Sequence, residues 1–525
     1  MAVKQAAAKE TAPRVKVVKH LSLEERLAEG RQARDRTAPS SHSGWIPASD
    51  RPDPVALLEE QNLTREPDLV PVRHGRMMVS PFTFYRGAAK IMAADLKDTP
   101  VAGLDAQLCG DAHLSNFGMF ASPERALLFD VNDFDETLPG PFEYDVKRMA
   151  ASFVICGRNN GFSKADTRAV ALASVTAYRE AMTEFAQMPT MDLWYAHYNE
   201  NRLQQLIQGA VAEAAKVEKQ DKKIERKDKK VERKDKKAEA AKAAKKKEQA
   251  DARQDKVVKK AARRAEKSIA KAHTHDSTQA LSKLAELVDG QYRIVSQPPV
   301  IVPARDLAAT YGLSPDDVMP ALHEQFRAYR ATLPHDRRRL LEKFQIIDAA
   351  RKVVGVGSVG TRAFIVLLQG RDEHDPLFLQ VKEATASVLE AYLPKSRFRQ
   401  HGERVVQGQR MMQAAGDIFL GWTKGVDVTR NFYWRQLRDM KGSALVDSMA
   451  PVTLTYYAQI CGWTLARAHA RSGDPVAMAS YLGRDDAFDR SITDFSERYA
   501  DQNEQDYEQF LKAIQAGRLE AVEGV

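Results

Sequence analysis

Cysteine is scarce in this chain. Its 525 residues include three, Cys109, Cys156 and Cys461, far apart in sequence and none in a CxxC pair. That spacing argues against a disulfide framework and a zinc knuckle, and it suits a reducing compartment. Long apolar runs are also missing: no stretch of about 18 apolar residues exists to span a membrane. The opening "MAVKQAAAKETAPRVKVVKHLSLEERLAEG" has no apolar core of a secretory signal. A cytoplasmic location is the expectation. A net positive charge is absent from most of the chain, although the whole carries +8. Residues 216–271 hold 24 Lys/Arg and 11 Asp/Glu, a local +13, so the remainder carries −5. The basic character belongs to one segment. That segment has no aromatic residues, so it offers no base-stacking platform.

What is present is ordinary globular text, 43% apolar, long enough for a large core and more than one body. Residues 1–54 read as a polar N-terminal arm, with "RTAPSSHSGWIPASDRPDP" as loop. Residues 55–205 alternate helix and short strand. "SPFTFYRGAAKIMAADL" reads as helix, with Ser80 as cap and Pro81 at the first helical position. "DAQLCGD" and "ALLFDVNDFDE" read as strands. Residues 206–280 form a lysine-rich insertion with a seven-residue repeat. Only Ile224, Val231 and Ala238 supply an apolar position per heptad, and a coiled coil requires two. A solvated helix or arm is expected there, with weak nonspecific contact to nucleic acid or an acidic surface as its alternative role. Residues 281–345 read as a helical connection. Residues 346–442 are β-branched and alternating, as strands should be, and 443–525 are helical.

Two stretches carry chemistry. "CGDAHLSN" places Asp111 and Asn116 five residues apart between strands, and "LLFDVND" ends in Asp133. Phosphoryl transfer from Mg·ATP requires a carboxylate facing the acceptor hydroxyl, and an amide oxygen and a second carboxylate on the metal. Asp111 suits the first role, and Asn116 and Asp133 the others. Asp135 and Glu136 stand beside them, as metal aids or caps of the next turn. Asp145 reads as a cap or loop brace, and Arg86 as a brace. About 240 residues downstream, "VGVGSVGTRAFIVLL" places Gly355, Gly357, Ser358 and Gly360 in a GxGxxG between two strands. A strand–loop–strand setting is that of a kinase phosphate loop and not of a dinucleotide fold. The following strand, "LFLQVKEA", carries Lys382, the candidate phosphate anchor. Its carboxylate partner is expected from Glu403, with Glu390 as the alternative. "FYWRQLRDM" would be the strand leading toward the nucleotide base, near Gln436 and Arg438.

"CGDAHLSN … VNDFDE" closely resembles the aminoglycoside-phosphotransferase branch of the protein-kinase-like superfamily. "SPFTFYRGAA", "CGDAHLSNFG", "NDFDETLPGPFEYDVKR" and "GQRMMQAAGDIFLGW" resemble, more narrowly, the bacterial domain of unknown function 2252 family. That likeness spans about 60–515 outside the lysine-rich segment. It implies an α+β, two-lobed protein-kinase-like fold in circularly permuted order, with the lysine-rich helical insertion. ATP and Mg²⁺ are the implied cofactors, and the acceptor is a hydroxyl of an unnamed small molecule. His113 falls where kinases often carry a lysine on the γ-phosphate. Cys109 departs from the phosphotransferase pattern, which has a histidine there. Three other readings stand beside this one. A nucleotide-binding interaction module would use the basic segment to dock a partner. A nucleotidyl transferase would turn ATP around on the same fold. A metallophosphoesterase shares GD-x-H, but its later GDxxDR-like and GNHD-like motifs are missing. If the two halves form one site, the glycine loop and Lys382 face Asp111, Asn116 and Asp133 across one cleft.

Overall fold

The computed structural model describes residues 20–205, 208–209, 263, 266–267, 269–274, 277–437 and 440–524. The heptad segment and Arg438 lie outside the described residues. The fold is mixed α+β. No helix among the described residues is long and apolar enough to cross a membrane.

The strands run in chain order as β1 Asp105–Leu108, β2 Phe117–Ala121, β3 Leu127–Val131, β4 Leu138–Pro141, β5 Tyr198–Asn199, β6 Ala285–Val288 and β7 Gln291–Ile294. They continue as β8 Ile301–Pro303, β9 Gln345–Lys352, β10 Ala363–Gln369, β11 Pro376–Ala384, β12 Gly421–Lys424, β13 Asn431–Gln436 and β14 Gly442–Ser443. Two short sheets serve the first half: β1 pairs β4, and β14-β2-β3-β5 form the other. The largest sheet has the antiparallel order β12-β13-β11-β10-β9-β8. β6 and β7 form a separate hairpin.

Both faces of the six-stranded sheet are covered, which explains why its strands read as near-continuous apolar runs. On one face Ile365, Leu367 and Phe378 pack on Ala280, Leu281 and Leu284 of the Ser277–Leu284 helix. On the other, Val366, Leu379 and Trp434 pack on Phe326, Tyr329 and Leu341. Trp434 stacks on Tyr329 with ring centroids 4.6 Å apart.

The remaining helices bury the larger core, where Pro451–Ala470 packs on Lys164–Gln187. Pro81 opens its helix with Ser80 as cap in a capping box, as expected. The N-terminal stretch departs from the expected arm. Leu23–Arg36 is a helix, closed by a Ser22/Glu25 capping box and packed on the Pro475–Leu482 helix. Gly30 permits that approach: a Cβ there would lie 2.2 Å from the Ala477 carbonyl oxygen. A docking contact hundreds of residues away has no trace in local polarity.

Candidate functional site

The pairing of strands dictates where the two acidic loops go. The 109–116 loop joins β1 to β2, and the 132–137 loop joins β3 to β4. β1 pairs with β4 through Leu108↔Leu138, and β2 pairs with β3 through Phe117↔Val131. Each loop is therefore flanked by strands paired to those flanking the other, and the two lie side by side. The Asn132 amide donates to the Asn116 carbonyl at 2.8 Å. Gly110 is required at this crossing. Its φ is +83°, and a Cβ there would stand 2.2 Å from the Glu136 carbonyl oxygen.

The 109–116 loop is braced from behind. Asp145 accepts from the backbone N–H of Cys109 at 2.8 Å and of Gly110 at 3.0 Å. It also meets His469 Nε2 at 3.2 Å, and the other nitrogen of that ring faces the Tyr178 hydroxyl at 2.9 Å. Asp145 and His469 thus act as supports. Cys109 is buried, and burial pushes its thiol well up, so it serves as packing and as a backbone donor.

Asp111 Oδ1 accepts from Arg148 Nε at 2.7 Å, and Arg148 lies over the Tyr85 ring at 3.8 Å. Burial raises the Asp111 carboxyl above its ordinary value, against the opposing pull of Arg148 and with help from Asp133 and Asp145. His113 Nε2 lies 3.8 Å from Asp111 Oδ2. The Ser115 amide donates to His113 Nδ1 at 3.2 Å, so Nδ1 is the bare nitrogen and Nε2 carries the proton. Burial and the Arg148 and Arg86 charges hold this ring neutral. Asn116 donates its side-chain N–H to the Asp111 carbonyl at 2.6 Å, which leaves its amide oxygen as an acceptor.

The six-stranded sheet reaches this pair of loops through cations. Lys382 on β11 is buried, its Nζ 2.6 Å from Asp135 Oδ2 and 3.9 Å from Asp133 Oδ1. Tyr433 stands opposite Lys382 in the β11–β13 register and donates to Asp135 Oδ1 at 2.6 Å. Burial alone would raise Asp135; the Lys382 ammonium and both hydrogen bonds outweigh it and hold the carboxyl below its ordinary value. Arg404 donates to the Asp135 and Thr137 carbonyls at 2.7 and 2.6 Å. Arg435 donates to the Asn132 carbonyl at 3.2 Å.

The glycine loop, between β9 and β10, is pinned from the N-terminal helices. Arg76 donates to the Gly355 carbonyl at 2.6 Å, the Glu66 amide to the Gly360 carbonyl at 2.8 Å, and Arg65 to the Val359 carbonyl. Gly355 and Gly360 have φ of +67° and +88°.

One cleft of about 640 Å³ is lined by Asp111, His113, Asn116, Asp133 and Asp135 on one side and Gly355, Gly357 and Ser358 on the other. Gly360 sits behind it, against Arg65. Glu403 and Glu390 are not the partners of Lys382. Glu390 closes the Ser387 capping box, and from the His401–Met412 helix it is Arg404 that points to the 132–137 loop. Gln436 lines a separate small crevice with Asn132, Asp417 and Arg435, so it does not border the cleft. Local sequence assigns no site role to Arg148, Tyr433 or Arg404. Only Tyr433 had a signal, its place on a strand, where the register sets it directly opposite Lys382.

No group of three or more His, Cys, Asp or Glu side chains converges as a metal cluster among the described residues. A magnesium ion shared with phosphates takes only one or two carboxylates from the protein, and hard oxygens suit it. Asp133 and the Asn116 amide oxygen fit that description. Both Asp135 oxygens are engaged by Lys382 and Tyr433, which leaves Asp133 and Asn116 as the pair with oxygens to offer.

Glu136 provides a check on these surroundings. Burial raises its carboxyl to about 7, although the Val388 amide donates to it at 2.7 Å. The folded pKa lies above the unfolded 4.5, so stability falls as pH rises from about 4.5 to about 7. Glu136→Gln keeps an acceptor for Val388 and removes the charge. Denaturant midpoints should coincide with wild type at low pH and exceed it at pH 8, by on the order of 2 kcal/mol after discounting for partial exposure. An equal difference at both pH values would count against the raised carboxyl.

These features define an α+β protein with a polar cleft between two acidic loops and a glycine loop set on an antiparallel sheet. The chain belongs to the DUF2252 family, described as an uncharacterized protein conserved in bacteria, whose model matches residues 65–259 and 234–513. No curated protein and no solved structure matches it.

Proposed function

We propose that the protein is an ATP- and Mg-dependent phosphotransferase of permuted protein-kinase-like build, acting on a hydroxyl of a small molecule. One observation carries the reading. Two partial motifs about 240 residues apart line one cleft, and Lys382 from one half is ion-paired with Asp135, two residues from Asp133, in the other. The strand order supports it: the glycine loop joins β9 to β10, the buried lysine lies on the next strand, and a helix follows. That is the arrangement of a kinase phosphate-binding sheet.

The residues divide the work as follows. Asp133 and the Asn116 amide oxygen would hold Mg²⁺ against the phosphates. Backbone N–H groups of the glycine loop cover them, and Lys382 supplies the nearby positive charge. Asp111 Oδ2, not taken by Arg148, accepts the proton of the acceptor hydroxyl. A bound Mg²⁺ would neutralise the charge that develops on the transferring phosphoryl oxygens.

The test is Mg-dependent ATP binding by titration calorimetry on wild type and Asp133→Asn. Wild type should bind ATP only with Mg²⁺, and the variant should lose at least about tenfold in affinity, the scale of one strong charge-assisted contact. Removal of residues 216–271 should leave binding unchanged. Failure of wild type to bind, or equal binding by the variant, overturns the reading.

A further inference from the structure

We infer that the acceptor carries an anionic group, a phosphate or a carboxylate, beside the hydroxyl that is phosphorylated. The inference rests on the phosphotransfer reading and concerns the wall of the cleft formed by the 60–90 and 385–401 segments.

Three of the acids lining the cleft are matched by cations. Asp111 pairs with Arg148, Asp135 with Lys382, and Glu383 with Arg362 and Arg430. The opposite wall has an excess of positive charge. Arg65, Arg86, Lys90 and Lys395 line it against two acids, Glu60 and Glu390, and Glu390 is held in its own capping box by the Ser387 amide. Of the four cations, Lys90 alone has a carboxylate partner there, Glu60 at 2.7 Å, and that acid is 63% exposed. Arg86 is the central group. It is half-buried, its Nε has no hydrogen-bond partner, and its backbone carbonyl lies against Gly357 of the glycine loop. The Nε itself is closed off from the cleft, so an oxyanion would be gripped end-on by the two terminal N–H groups, the parallel pair a guanidinium offers a planar or tetrahedral anion. Arg65 lines the same cleft but is already engaged: it donates to the Val359 carbonyl and lies under the pull of Glu136, Asp135 and Glu383. Lys395 is exposed at the mouth, where it draws an anion in.

An acceptor seated by its anion on Arg86 has its hydroxyl directed to Asp111, which lies in the same cleft and within the influence of the Arg86 charge. The reaction then balances simply. The acceptor O–H proton passes to Asp111, a bond forms between that oxygen and the γ-phosphorus, and the bond from the γ-phosphorus to the β–γ bridging oxygen breaks. ADP leaves with the electron pair, and Asp111 returns its proton to water.

The test loads the full-length protein with Mg²⁺ and the non-hydrolysable ATP analogue that has an imido β–γ bridge. Methyl phosphate and acetate are then titrated as probes. At least one should bind, and Arg86→Gln should weaken it about tenfold or more while affinity for the nucleotide analogue and the melting curve stay at wild-type values. Lys395→Gln should slow association and steepen nothing else. A matched acceptor panel gives the second readout: neutral sugars and polyols against their phosphate and carboxylate derivatives, scored by ADP release. The anionic members should be favoured, and Arg86→Gln should raise their KM more than it lowers kcat. If the analogue binds but neither anion does, or Arg86→Gln changes nothing, the inference falls alone. The same holds if neutral acceptors are favoured. If the analogue itself does not bind, the phosphotransfer reading falls and takes the inference with it.

Discussion

Asp111→Asn should lower kcat by about 10²- to 10⁴-fold, the usual contribution of a positioned general base, while Mg·ATP still binds. The substitution keeps the shape of the side chain and an oxygen for the Arg148 N–H, which donates at 2.7 Å. What disappears is the second carboxylate oxygen, the one facing His113 Nε2 at 3.8 Å, and with it the basicity. Burial already raises Asp111 above the ordinary carboxyl value, which makes it a better base than an exposed aspartate. The variant therefore separates the chemical step from nucleotide binding, the role proposed for Asp133 and Asn116. The measurement is transfer of γ-labelled phosphate, with ATP affinity determined in parallel on the same variant. Undiminished transfer would remove Asp111 from the mechanism.

Lys382→Met should damage both folding and binding. Lys382 and Asp135 form a buried pair that joins the six-stranded sheet to the loop ending β3. Removing only the cation leaves the Asp135 carboxylate with the Tyr433 hydroxyl and the weaker, longer-range pull of Arg435. Breaking a buried pair from one side costs about 3–5 kcal/mol, because the surviving charge stays desolvated and uncompensated. Lys382→Met with Asp135→Asn should recover most of that stability, since the double change removes both charges. It should not recover ATP binding if Lys382 is the phosphate anchor proposed, because its ammonium is still missing. Denaturant unfolding of the single and double variants checks the first statement, and calorimetry checks the second. A single variant as stable as wild type would show the pair to be dispensable.

Much of the site could be read from local patterns. Asp111, Asn116 and Asp133 follow apolar strands and stand in turns, so their spacing is visible in the chain. The glycine loop is marked by three glycines between β-branched runs, and two of these, Gly355 and Gly360, take positive φ. The hidden part lies wherever a partner comes from a distant element. Glu403 looked suitable for Lys382 because a helix partner was expected and Glu403 has longer spacing than Glu390, yet that helix presents Arg404 to the 132–137 loop. The counter-ion of Lys382 comes from Asp135, 247 positions away. Arg148 reads in sequence as one more charge at a helix start, but in the fold it is the hydrogen-bond partner of Asp111.

The amino-acid sequence by itself determined the strands, the two acidic turns, the glycine loop and the separate basic segment. Each of these follows from neighbouring residues: the period of two in a strand, the φ that glycine permits, the density of like charge. Only the tertiary structure decided which charges meet. Ion pairing depends on distances of a few ångströms between side chains, and those distances are set by β1–β4 and β2–β3 pairing and by the seating of the six-stranded sheet on the loops. No local pattern encodes that seating, because it is the sum of burial across the whole core.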